Sequence, residues 1–300
     1  MVVVKLMGGL GNQMFQYAAG RSLAIRLGAV LKLDRSYLDG PQEGNTHRNY
    51  ELNGLNVQEK FADPREVVEL TGRESTRLRM LMLRLRQSAG LTRFRPNILR
   101  ERNFRFQPEF LIASDDVYLE GYWQSEKYFA GITEIIRNEF SIRRSLEGRD
   151  RTFAEVIAEG NTVSIHVRRG DYVRHPEAFQ YHGVCGREYY RNCMGIISER
   201  FQDSHFVVFT DEPGWARENL PSSCRITFVD WDTPRKGCVD LELMRKCRHH
   251  IIANSSFSWW GAWLCENPGK VVLAPSRWFI DPSTDTRDLL PESWVRVGGE

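Results

Sequence analysis

The chain has 300 residues, enough for one large domain or two of ordinary size. Apolar residues make up 41 % and charged residues 27 %, the composition of a soluble globular protein, and a net charge of +2 argues against a nucleic-acid binder. No run is apolar for long enough to cross a bilayer. The six cysteines form no C-x-x-C pair and suit neither zinc nor a disulfide framework, so reduced packing thiols in a cytosolic protein are expected.

Met1-Val2-Val3-Val4-Lys5-Leu6 lacks a basic leader and a cleavage site, so no signal peptide is expected. Val2 to Leu6 instead reads as a strand. Gly8-Gly9-Leu10-Gly11-Asn12-Gln13 follows as a tight glycine loop. Residues 13–27 read as a helix, with Phe15, Ala18, Ala19 and Leu23 at helical spacing and Gly28 just past the end. Residues 29–33 form a second strand that runs into Asp34, which completes a β-loop-α-β unit. Residues 64–105 are rich in arginine with leucine and methionine among them, and they read as mostly helical. One reading is a solvated face over an apolar stripe. The other is a surface that meets anionic lipid at the inner membrane or an anionic acceptor.

The second half alternates regularly. Strands are predicted at 162–167, 205–210, 225–229, 249–253 and 270–274, with helices near 187–201, 215–220, 240–248 and 257–266. Repeated βα units imply a parallel sheet wrapped by helices. The charged stretch 141–160 is the expected hinge, giving domains 1–150 and 151–300.

In an open α/β sheet the ligand crevice lies outside the carboxyl ends of the strands. The unusual residues of the second half fall there. Arg168-Arg169-Gly170-Asp171 follows the first strand, Asp211 the second, and Asn254-Ser255-Ser256 the fourth. Two adjacent arginines at a strand end cost desolvation energy unless an anion meets them, and guanidinium forks suit the paired oxygens of a diphosphate. The alternative is an ion-pair cluster with Asp171. Arg169-Gly170-Asp171 also spells an adhesion tripeptide, but it follows a buried-type strand. Ser255 and Ser256 open a helix whose free N–H groups bind anions, with plain capping as the alternative. The loop around Gly9, Gly11 and Asn12 is a second anion candidate; it is not a Walker A loop, because no Lys-Ser/Thr follows.

Several long motifs together resemble a known family. They are Gly8-Gly9-Leu10-Gly11-Asn12-Gln13-Met14-Phe15-Gln16-Tyr17, Gly121-Tyr122-Trp123-Gln124-Ser125-Glu126, the segment 165–172, Tyr181-His182-Gly183-Val184-Cys185 and the segment 252–261. These are similar to the bacterial α-1,2-fucosyltransferases of glycosyltransferase family 11. The resemblance implies an α/β GT-B fold, two Rossmann-like domains with the donor site in the interdomain cleft. It implies inverting transfer of L-fucose from GDP-β-L-fucose to the 2-hydroxyl of a galactoside, free or on a lipid-linked glycan, in the cytoplasm or at the membrane face. The wider superfamily puts guanine contacts at His166 and Asp240, and diphosphate contacts at Arg168 or Arg169 and at Ser255 and Ser256. Asn254 is included in the same cradle, and Arg168, Arg169 and Asp171 are the expected catalytic residues. Asp171 is the first choice of general base, with His182 and Glu126 as alternatives. Asp230-Trp231-Asp232 matches the D-x-D pattern of metal-dependent transferases, but nearby arginines can do the metal's electrostatic work, so no metal or cofactor is expected. Rival readings keep the fold with another nucleotide sugar, or make the chain a non-catalytic sugar-nucleotide binder.

Overall fold

A computed structural model describes residues 1–42, 46–72, 97–170, 173, 176–229 and 236–299. The chain divides into two compact units, Met1–Asn53 with Val57–Glu139, and Gly54–Asn56 with Phe140–Glu300.

The first unit is built on a four-stranded parallel sheet: β1 (Val2–Lys5), β2 (Leu31–Asp34), β3 (Ile98–Arg100) and β4 (Val117–Glu120), in the order β2-β1-β4-β3. Val2, Val3 and Val4 are wholly buried at its centre. Helix α1 (Leu10–Leu27) crosses from β1 to β2. It stops at Gly28, whose left-handed φ of 61° lets its N–H return to the Ile25 carbonyl at 3.1 Å. Two expectations need correction. The helix begins at Leu10 rather than Gln13, because Gly9 serves as its N-cap and the Glu51 carboxylate takes the Leu10 N–H at 2.8 Å. The stretch 64–105 is not helical throughout: α2 (Pro64–Thr71) ends at Gly72, and Ile98 to Arg100 is an edge strand paired to β4. Residues 73–96, which hold most of the arginines, lie outside the described residues.

The second unit carries six parallel strands: β5 (Thr162–Val167), β6 (His205–Thr210), β7 (Arg225–Phe228), β8 (His249–Ile251), β9 (Val272–Pro275) and β10 (Val295–Val297). Their order is β10-β9-β8-β5-β6-β7. Counted from β5, this is the doubly wound order 3-2-1-4-5-6 read from the β7 edge, with its reversal between β5 and β8. Side chains of β6 alternate across the sheet. Phe206 and Val208 pack with Tyr189, Tyr190 and Met194 of α4 (Arg187–Arg200), while Val207 and Phe209 join Ile157 of α3 (Gly148–Glu159) and Leu243 of α6 (Gly237–Lys246). Both faces are covered, which is why these strands read as nearly continuous apolar runs. Because α3 belongs to this core, the division falls at Glu139/Phe140 and not at residue 150. Leu55 joins the same unit through an antiparallel bridge to Ile142.

Five of the six cysteines are buried and all six are free, Cys224 being partly exposed. No described helix is long and apolar enough to cross a membrane.

Candidate active site

The reversal point between β5 and β8 brings two loops to one edge. Ile165 is in register with Ile251, so Arg168 and Asn254 each lie three residues past a matched pair. Adjacent strands run about 5 Å apart, which sets the two turns side by side. A side-chain contact ties the same edges together: the His166 ring, near the end of β5, lies 5.5 Å from the ring of Phe257. Phe257 sits in the first turn of α7 (Ser256–Leu264).

The two arginines have different surroundings. Nη1 of Arg168 meets Oδ2 of Asp211 at 3.1 Å, both side chains being about three-quarters buried (25 % and 26 % exposed). Arg169 lies over Trp215 of α5 (Pro213–Asn219), its guanidinium carbon 4.1 Å from the ring centroid. Among the described residues its guanidinium donates to no acceptor. Asp211 also shapes the turn, because its Oδ1 accepts the Arg169 N–H at 2.9 Å and its Oδ2 the Gly170 N–H at 3.1 Å. Gly170 is required here, since a β-carbon would lie 2.9 Å from Oδ2 of Asp211. Arg168 is thus ion-paired to Asp211. Asp171 and the Asp230-Trp231-Asp232 motif lie outside the described residues.

His166 is 5 % exposed, and its Nδ1 is buried without a hydrogen-bond partner among the described residues. Burial, reinforced by the Arg168 charge and opposed by Asp211, pushes its pKa down to about 3. The imidazole is thus neutral at physiological pH and fixed beside the arginines. Tyr190 braces this strand by donating its hydroxyl to the His166 carbonyl at 3.0 Å.

Ser255 is the N-cap of α7, and no side chain caps the helix. That leaves the first-turn N–H groups and the dipole's positive end at the crevice. Asn254 has another job. Its amide donates to the carbonyls of His182 (2.8 Å) and Trp278 (3.2 Å), so it fixes the turn while its side chain is engaged by protein. Asp240 stands in the first turn of α6, the helix that leaves the β7 side and leads into β8, which topology places at the same edge.

The glycine loop of the first unit is differently filled. Glu51 occupies the N-terminus of α1, as described above, and Nε2 of Gln13 donates to the carbonyls of Gly8 (2.9 Å) and Asn49 (2.8 Å). Gly9 and Gly11 thus border a helix start already met by a carboxylate. Oδ1 of Asn12 accepts Nε2 of Gln124 at 2.8 Å.

Asp211, Trp215 and Phe257 were not assigned roles from the sequence. Asp211 stood at a strand end, a usable signal. The other two are aromatic residues one or two positions into helices that start at strand ends.

The family model "Glycosyl transferase family 11" matches residues 96–297. The chain is 34 % identical to an alpha-1,2-colitosyltransferase of Escherichia coli, over 99 % of this chain and 98 % of that one. It is 32 % identical to the O-antigen biosynthesis glycosyltransferase WbnK of Escherichia coli, over 97 % and 99 %. It is 29 % identical to human galactoside alpha-(1,2)-fucosyltransferase 1, over 61 % of this chain and 53 % of that one. With the family match spanning the whole second sheet, the chain is a glycosyltransferase and belongs to glycosyltransferase family 11.

Proposed function

We propose that the protein transfers L-fucose from GDP-β-L-fucose to the 2-hydroxyl of a galactoside, with inversion and without a metal, in the cytoplasm. The observation that carries this is the register of β5 with β8, which sets the Arg168-Arg169 turn next to the turn that opens α7, whose N-terminus has no side-chain cap. A donor diphosphate fits between a planar guanidinium and free helix N–H groups. The acceptor oxygen attacks the anomeric carbon as the bond to the diphosphate oxygen breaks, so the β-linked donor gives an α-linked product and GDP leaves. Negative charge grows on the departing oxygen, and the arginines and the α7 amides are the donors assigned to meet it. Neutral His166 and the Asp240 carboxylate are assigned to guanine. Asp171 is assigned to the hydroxyl proton; an acid limb that persists unshifted in Asp171→Asn removes it from that role.

The test is incubation with GDP-fucose, EDTA and a panel of galactosides, followed by linkage analysis of the product. Arg169→Ala is expected to lose about 10²–10³ in kcat while staying folded. Transfer to a 3- or 4-hydroxyl overturns the regiochemistry, and restoration of activity only by added divalent metal overturns the metal-free reading.

One observation favours a second donor. The 34 % identity over nearly full length is to a colitosyltransferase, and colitose is fucose without its 3-hydroxyl. Direct competition between GDP-fucose and GDP-colitose distinguishes the two.

A further inference from the structure

The turn after β4 in the first unit departs from ordinary protein chemistry at four neighbouring points. Trp123 takes a left-handed backbone with φ of 58°, a region bulky residues seldom adopt. Its side chain is wholly buried, yet the indole N–H has no partner among the described residues. Gly121 leaves no room for a side chain, since a β-carbon there would lie 2.3 Å from the β-carbon of Glu101. Finally, Glu101 brings a carboxylate to the turn with no cation against it among the described residues. Its Oε2 accepts the Tyr122 N–H at 2.7 Å and its Oε1 accepts the Trp123 N–H at 2.9 Å. Burial raises the pKa of this carboxyl despite the backbone N–H groups that face it.

Packing alone does not call for any of this. A neutral side chain at position 101 would avoid the desolvation of an unpaired carboxylate, and a right-handed residue 123 would avoid the strain. Such costs persist where the surrounding structure fixes a shape that function uses. What the shape fixes is Gln124, which is 8 % exposed and reaches Asn12 at 2.8 Å. Asn12 lies in the first turn of α1, the helix that follows β1, and Gln124 in the turn after β4; these are the two central strands of the sheet. The result is a pair of carboxamides held at the carboxyl edge of the first unit, chemistry suited to hydroxyl groups of a neutral glycan rather than to phosphate.

We propose that Glu101 is a positioning residue for the acceptor: by clamping the left-handed turn at Trp123 it holds Gln124 at the carboxyl edge of β1 and β4, where the acceptor glycan binds. The inference rests on the reading above that the acceptor is a glycan.

Two measurements test it. In Glu101→Gln one amide hydrogen faces the donors of the turn, so the KM for acceptor rises about tenfold or more while the KM for GDP-fucose and protection from heat by GDP stay within about twofold. Gly121→Ala, which pushes Glu101 away without changing its charge, gives the same split. Equal acceptor KM in both variants and wild type overturns the proposal, and so does a loss that falls equally on donor and acceptor. The second measurement reads binding directly, on the wild-type protein. The Trp123 indole N–H resonance of the wild-type protein, identified by its absence in Trp123→Phe, is followed on adding lactose or N-acetyllactosamine, and separately GDP. A shift with the disaccharides and none with GDP is expected; a resonance unmoved by either sugar, in an enzyme that fucosylates it, overturns the proposal. If the resonance shifts but no fucose is transferred, the positioning role stands and the donor assignment fails.

Discussion

Asp211 shows how one carboxylate can set the electrostatics of a site it need not touch. It accepts two successive backbone N–H groups and meets a guanidinium, so the Arg168–Gly170 turn, the Arg168 side chain and the end of β6 are fixed together. Asparagine has the same size but offers one acceptor oxygen and an NH₂ group that faces a donor. Asp211→Asn should leave a folded protein, destabilised by about 1–3 kcal/mol, with one donor bond unmade. The kcat/KM for the nucleotide sugar should fall by about 10² as the arginines lose their aim. Gly170→Ala should mimic it, since the new methyl group meets the same oxygen at 2.9 Å. Steady-state kinetics beside thermal unfolding separate the two effects; unchanged kinetics in both variants would show that Asp211 is only structural. The arginine pair was legible in the sequence as an anion site because paired guanidiniums at a strand end need a partner. Their division of labour was not, because the deciding carboxylate lies 42 residues further along the chain.

At the scale of elements, α7 is held from both ends for different reasons. Its N-terminus is left open at the crevice. Its C-terminus is closed by Lys270, whose Nζ donates to the carbonyls of Ala262 (2.7 Å), Trp263 (3.3 Å) and Cys265 (2.6 Å). A cation there satisfies carbonyls that have no helical partner and complements the dipole. Trp259 anchors the middle, its indole donating to the Leu289 carbonyl at 2.9 Å. Lys270→Met keeps most of the aliphatic stem and removes the charge, so it should cost about 2 kcal/mol of stability with little change in affinity for GDP. Denaturant unfolding and a GDP titration check this, and a loss of affinity as large as the loss of stability would contradict it. The βα alternation of the second unit was readable because its strands are buried on both faces and its turns carry Asp, Asn and Gly. Strands β3 and β10 were not: each has three residues, at a sheet edge, and neither is fully buried. In β3, Leu99 beside arginine fits a helical stripe as well as a strand, and only pairing with β4 decides between them. The start of α1 is hidden from the sequence for a similar reason, since a long-range contact from Glu51 lets Leu10 and Gly11 join the helix.

The whole molecule should respond to acid unevenly. The second sheet buries neutral imidazoles on three of its strands. His166 is lowered to about 3, His249 to about 4, His250 well below its ordinary value, and His205 downward as well, in each case chiefly by burial. In the unfolded chain these groups titrate near 6.5. Below that value the unfolded state binds protons that the native state refuses, so stability rises with pH through this window. It is fully present above about pH 6.5 and is lost as pH falls toward 3–4, at up to about 1.4 kcal/mol per pH unit for each imidazole. In the first unit Glu101 has the opposite sign, because its raised pKa makes the native state bind a proton more readily as pH falls. The second unit should therefore loosen first. His249 gives a clean test, because its Nδ1 only accepts the Val271 N–H at 3.0 Å while the ring stacks on Phe201. Asparagine can supply that acceptor and cannot titrate. Thermal unfolding from pH 7.5 to 5 should show a falling Tm in the wild type and a shallower fall in His249→Asn, with the variant less stable at pH 7.5 from lost stacking. Limited proteolysis at pH 5 should cut beyond Phe140 before it cuts the first sheet. Parallel pH slopes in the two proteins would mean that carboxylates, and not these buried imidazoles, govern the acid limb of stability.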